Sequence, residues 1–189
     1  MSETDANPLL SEALDVRRRA RRLMSPDDVA ATFERMGREI TAKLFDANPV
    51  VLAVMHGGAF TAVELCRHFD FPYEFAYVHA TRYGSELAGG DLGWLVEPKP
   101  QLAGRAILLV DDILDEGVTL SALHAALARV GAGSVWTAVF AVKALTKPVE
   151  RPRADFVGTT VENVYVFGCG MDYKGYWRGL PELLAVRSE

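Results

Sequence analysis

Apolar and polar positions follow two rhythms along this 189-residue chain. Val29, Phe33, Met36, Ile40 and Leu44 recur at spacings of three and four, which predicts one amphipathic helix. Ser25, Pro26, Asp27 and Asp28 mark its start, with a capping hydroxyl, a proline in the first turn and acids at the positive end. Asn48 and Pro49 break the stripe, and the run VVLAVM at 50–55 predicts a central strand. His56, Gly57 and Gly58 then lead into a helix over 59–69, and another strand is expected at 73–80. The run AILLV at 106–110 reads as a buried strand stopping at Asp111 and Asp112. Leu120, Leu123, Leu127 and Val130 resume helical spacing, Gly131 and Gly133 supply stop signals, and SVWTAVFAV at 134–142 is a further buried strand. Strands alternating with helices imply an α/β fold, a parallel sheet flanked by helices with right-handed crossovers.

Three stretches depart from these rhythms. Residues 81–93, TRYGSELAGGDLG, have no periodicity and four glycines, the composition of a mobile loop or an exposed hairpin, before a short strand at 94–96. The last quarter carries short apolar runs at 156–157 and 164–167, broken by Gly158, Gly168 and Gly170. Tyr165, Phe167, Tyr173, Tyr176 and Trp177 crowd that region, as a small core or as a platform for a planar ligand. At the other end, residues 1–15 are polar and read as loosely ordered, and RRRARR at 17–22 is the one dense basic run. Without interleaved aromatics, that run is better read as a solvated helix face or salt-bridged surface than as an RNA or membrane contact.

Composition narrows the classes. The length suits one domain, half of the residues are hydrophobic, and a formal charge of −5 argues against a general polyanion binder. The start lacks the basic and apolar regions of a secretory signal, and no apolar run is long enough to span a membrane. Cys66 and Cys169 form no metal or disulfide framework. A cytoplasmic protein is the expectation.

The chemistry gathers at the strand ends. Ligands of open parallel sheets bind beyond the carboxyl ends of the strands, so Asp111 and Asp112 are placed to hold a cation or sugar hydroxyls. The amides opening the following helix are placed to hold a phosphate. Lys143 ends the strand at 134–142 on the same rim, Asp172 is a cap or a ligand carboxylate, and Arg178 is a late base suited to an anion. The chain has no GxxxxGK[ST], no GxGxxG after a strand and no GxSxG, which removes the P-loop, dinucleotide and hydrolase readings. The carboxylate pair, glycine-rich turns, helix start and aromatic shelf fit a magnesium-bound sugar phosphate reacting with a flat heterocycle.

VDDILDEGVTL at 110–120 resembles the phosphoribosyl diphosphate signature of the type I phosphoribosyltransferases. HGG at 56–58, RYG at 82–84, VK at 142–143, DFVG at 155–158 and VYVFGCGMDYKGYWRGL at 164–180 resemble the 6-oxopurine branch, the hypoxanthine-guanine phosphoribosyltransferases. The resemblance covers about residues 24–186 and implies a phosphoribosyltransferase domain at 24–189, with a hood from the terminal segments and a mobile lid. Residues 1–23 would be a flexible or helical basic extension.

The resemblance also implies roles. Asp111 and Asp112 would face the ribose hydroxyls and the magnesium-bound diphosphate. The stretch Asp115, Glu116, Gly117, Val118 and Thr119 would wrap the 5-phosphate, with Asp115 as the catalytic group managing the proton at N7 of the base. Lys143 would donate to O6, Tyr165 would stack on the purine, Val166 would read its edge, and Arg178 would meet the diphosphate. Asp172 would join Asp111 and Asp112 as a ligand of Mg2+. His56 and Gly57 form the first glycine loop, where the family commonly has lysine at the His56 position, and Arg82 and Tyr83 would bind ligand from the lid. Asp111 stands where glutamate is frequent, and Trp177 replaces a smaller aromatic. The partners implied are phosphoribosyl diphosphate and 6-oxopurine bases, with a homodimer or homotetramer and neither membrane nor nucleic acid. The alternative is a regulatory protein that senses phosphoribosyl diphosphate and binds RNA through residues 17–22.

Overall fold

The apolar run before the paired acids is the centre of the molecule. In a computed structural model, which describes residues 7–82, 92–146 and 149–187, it is strand β5 (Ile107–Leu114). It lies between β2 (Val50–Val54) and β6 (Val135–Ala144), parallel to both. β3 (Glu74–Arg82), β4 (Leu92–Val96) and β7 (Phe156–Glu162) complete a six-stranded sheet in the order β4-β3-β2-β5-β6-β7. Five strands run parallel, as the alternating pattern predicts, but edge strand β4 returns antiparallel to β3, so the sheet is mixed. β2 and β3 continue to one side while β5, β6 and β7 lie on the other. The β2/β5 boundary is therefore the topological switch, and a crevice opens there beyond the carboxyl ends of the strands.

Both faces of the sheet are covered, which is why its central strands read as unbroken apolar runs. On one face, Val51, Ala53, Leu108 and Val110 pack with helix α2 (Pro26–Leu44) and helix α3 (Gly57–Cys66). The predicted stripe of α2 is buried at all five positions, and Ser25 and Asp28 cap it reciprocally. On the other face, Leu52, Ile107 and Leu109 meet Leu120, Leu123 and Leu127 of helix α4 (Val118–Arg129).

Above the crevice sits a small antiparallel sheet of β1 (Arg21–Met24), β9 (Leu183–Ala185) and β8 (Val166–Phe167). In the chain before it the helical alternative for the basic extension is the one found: Pro8–Arg19 is helix α1, so residues 8–15 are ordered where loose order was expected. Asn7 caps it by accepting from the Leu9 amide, and Ala13 is fully buried against the C-terminal region. Among the described residues, no helix is long and apolar enough to cross a membrane. The expected lid falls largely on residues 83–91, outside the described residues, as does Tyr83.

Candidate active site

β5 does not stop before its acids. Asp111 still pairs with Val139 of β6, and pairing continues through Ile113 and Leu114, so the rigid strand itself positions both carboxylates. Being consecutive, their side chains leave on opposite faces. Asp112 enters a slot made by two glycines. A Cβ on Gly57 would overlap its carboxylate, and one on Gly170 would lie 2.5 Å from the Gly57 carbonyl and 3.0 Å from the Asp112 Cβ. Gly58 lets α3 approach β5 in the same way, since a Cβ there would be 2.5 Å from the Val110 carbonyl. The glycine pair after β2 is thus required by the acids of β5. The Met55–His56 peptide in this loop is cis.

Asp111 is 8% exposed, and burial followed by the neighbouring Asp112 charge pushes its carboxyl well above the usual range. Burial also raises Asp112. Arg178 brings countercharge from the hood: one guanidinium nitrogen is 2.6 Å from Asp172 Oδ1, and the other is 4.0 Å from Asp112 Oδ2. Arg178 also donates to the Gly170 carbonyl at 2.9 Å, and Asp172 Oδ2 accepts from the Gly175 amide at 2.6 Å.

After Leu114 the chain turns through Gly117, whose φ of +81° lies in the left-handed region that glycine tolerates, and α4 begins at Val118. The first amides of α4 open toward the crevice, an arrangement suited to an anion. Beside this turn Lys143 Nζ reaches Asp115 Oδ2 at 2.7 Å, joining the ends of β6 and β5. Arg151, which the sequence pattern did not mark, ties the same ends through backbone carbonyls. It donates to Lys143 O at 2.8 Å, to Leu114 O at 3.3 Å and to Asp115 O.

Two adjoining clefts result. One, of about 480 Å³, is lined by His56, Gly57, Asp111, Asp112, Asp115, Gly117, Val118, Thr119, Asp172 and Arg178. The other, of about 200 Å³, is lined by Asp112, Ile113, Asp115, Lys143, Tyr165, Val166, Met171 and Asp172. They share Asp112, Ile113, Asp115 and Asp172. Most of the residues proposed from the sequence therefore meet at one place. Glu116 is exposed and lines neither cleft, and the Arg82 side chain and Tyr83 lie outside the described residues. His56 meets a partner the sequence did not suggest, His79 of β3, edge-on at 4.5 Å, and burial with the His56 charge lowers the His79 pKa.

The acids, an anion-binding helix start and a half-exposed tyrosine shelf can hold a phosphorylated, hydroxylated ligand against a flat one. Comparison with known proteins agrees. A family model described as the phosphoribosyl transferase domain matches residues 27–174. The hypoxanthine-guanine-xanthine phosphoribosyltransferase of Tritrichomonas foetus is 30% identical over 159 residues, 84% of this chain and 87% of that one. The hypoxanthine-guanine phosphoribosyltransferase of Bacillus subtilis is 31% identical over 163 residues, 84% and 88% of the two chains. A solved hypoxanthine-guanine-xanthine phosphoribosyltransferase superposes with a TM-score of 0.75 at 28% identity, covering 89% of this chain and 97% of that one.

Proposed function

The chain belongs to the type I phosphoribosyltransferase family, and from that premise we propose that it transfers the 5-phosphoribosyl group of phosphoribosyl diphosphate to N9 of hypoxanthine or guanine. Transfer of a phosphoribosyl group to a purine base is the chemistry of the family match. The finer reading rests on the pair of clefts that share the carboxylates of Asp112, Asp115 and Asp172 along with Ile113. The larger would take the phosphoribosyl diphosphate and the smaller the base, so that the ribose carbon and N9 meet between them.

In this reading the amides from Gly117 to Thr119 hold the 5-phosphate, and Asp111 and Asp112 face the ribose. Tyr165 stacks on the base, Val166 lies along its edge, and Lys143 donates to O6. Arg178 draws charge toward the departing diphosphate, which favours cationic character at the ribose carbon. As N9 bonds to that carbon the ring becomes more acidic, and Asp115 accepts the proton from N7.

The donor set suits magnesium. Asp111, Asp112 and Asp172 offer hard carboxylate oxygens, the kind of donor that magnesium takes. Among the described residues no three such side chains are gathered to hold a metal ion, so in this reading magnesium would take one or two of these carboxylates together with substrate oxygens. When bound with the diphosphate, magnesium supplies charge neutralisation of the leaving group.

The test is diphosphate release with hypoxanthine, guanine, xanthine and adenine, each with and without a magnesium chelator. Magnesium-dependent release with the first two, matched by nucleotide formation, is expected. Binding of phosphoribosyl diphosphate without release for any base would instead favour a sensing protein. Gly57→Ala probes the slot directly: displacement of Asp112 is expected to raise the KM for phosphoribosyl diphosphate about tenfold, with an overpacking cost of about 1–3 kcal/mol in stability. An unchanged KM would mean that Asp112 does not depend on that slot. A cytoplasmic homodimer or homotetramer completes the proposal. Exposed Phe60 and Val63 on α3 and Phe75 and Tyr77 on β3 support such an interface, and sedimentation would measure it.

A further inference from the structure

Helix α1 precedes the matched family region, yet its contacts converge on the hairpin that carries Asp172 and Arg178. Glu12 Oε1 accepts from the Tyr173 hydroxyl and from Lys174 Nζ, both at 2.6 Å. One residue on, the Ala13 carbonyl accepts from the Trp177 indole at 2.9 Å. Arg17 at the end of the helix and Arg22 just after it both reach Glu182, which is 6% exposed and precedes β9.

The residues held are those that most need holding. Lys174 and Trp177 have φ of +48° and +73°, in the left-handed region that side chains other than glycine avoid, and such residues persist only where the surroundings fix them. Tyr173 and Tyr176 bridge across the hairpin, Asp172 sits immediately before it, and Arg178 follows Trp177. The Tyr173 ring lies edge-on to Tyr165 with centroids 5.5 Å apart. Tyr165 itself is half-exposed and has open space on its cleft side.

We propose that α1 is a positioning element of the purine site: through Glu12 and Ala13 it fixes Tyr173, Lys174 and Trp177, and through them the Tyr165 shelf and the Asp172–Arg178 pair. This role rests on the reading of Tyr165 as the base shelf. It also gives the basic run a local task, because Arg17 and Arg22 fasten the helix and the strand that follows to the hood. The two donors hold the Glu12 carboxyl below the usual range, Lys174 first and Tyr173 second.

The test uses the full chain with Glu12→Ala, Tyr173→Phe, the double variant, and Tyr165→Ala in parallel. Glu12 lies at the surface, so its variants are expected to fold. KM for the base is expected to rise about tenfold in Glu12→Ala, the lower end for partners that orient a site, with kcat at saturation changing far less. Tyr173→Phe should give a similar rise, and the double variant should not exceed the larger single effect, because both break one link. A lower melting temperature with an unchanged KM in Glu12→Ala, or additive effects in the double variant, would overturn the proposal. Tyr165→Ala separates the two failures. A raised base KM there beside an unchanged Glu12→Ala removes the role of α1 alone, whereas an unchanged KM in Tyr165→Ala removes the shelf and the role built on it.

Discussion

Asparagine at Asp115 is expected to lower kcat for nucleotide formation by about 10²- to 10⁴-fold, the usual span for loss of a proton acceptor, while affinity for phosphoribosyl diphosphate changes only a few-fold. Asparagine keeps the shape of the side chain and can still accept from Lys143 Nζ, now 2.7 Å from Oδ2, but it takes no proton from N7. The Asp115 side chain is 40% exposed, so losing its ion pair costs about 1 kcal/mol or less and cannot account for a large loss through unfolding. Its backbone is held separately, because Arg151 donates to the Asp115 and Leu114 carbonyls, so the α4 start should remain in place. Single-turnover rates and equilibrium binding, measured on the same preparation, separate the two quantities. Equal losses in binding and turnover would make Asp115 a structural residue of the phosphate turn.

How far the sequence carries such an argument depends on the range of the contacts involved. The centre of the sheet was legible because doubly covered strands must be apolar at every position, as residues 50–54 and 107–110 are. Helix α2 announced itself through its cap and stripe, both of which are local. Asp111 and Asp112 could be placed at a strand end, but the strand continues past them because β6 pairs with it through Leu114. The antiparallel return of β4 was one of two readings of residues 81–93, the exposed hairpin, and composition alone could not choose it over a loop because the direction of β4 is set by its connection to β3 rather than by its own residues. Arg151 was invisible for a similar reason. It acts on three backbone carbonyls, which carry no side-chain signature, and nothing near Arg151 in the chain repeats. Helix α1 is short, and its partners Tyr173, Trp177 and Glu182 lie more than 150 residues away, so local propensity left the extension open between flexible and helical and gave no sign of what it packs on. Gly170 was noticed only as a break, whereas it is one wall of the Asp112 slot.

Removing Lys143 is expected to act on choice of base more than on turnover in general. Its side chain is 16% exposed and lines the smaller cleft, and Arg151 fixes the Lys143 carbonyl, so the side chain projects from an anchored strand end. A hydrogen bond from a charged donor to O6 contributes about 1.5–3 kcal/mol, which corresponds to about 10- to 100-fold in kcat/KM for hypoxanthine and guanine in Lys143→Ala. Adenine presents an amino group at that position, a donor facing a donor, and loses nothing when the ammonium is removed. The ratio of kcat/KM for hypoxanthine over adenine should therefore shrink by the factor that hypoxanthine loses. That ratio is the informative quantity, because Lys143 also holds Asp115. If its only effect were to release Asp115, proton transfer would slow for every base alike and the ratio would stay constant. A constant ratio would leave Lys143 as a partner of the catalytic carboxylate and return base selection to the Tyr165–Val166 edge of the cleft.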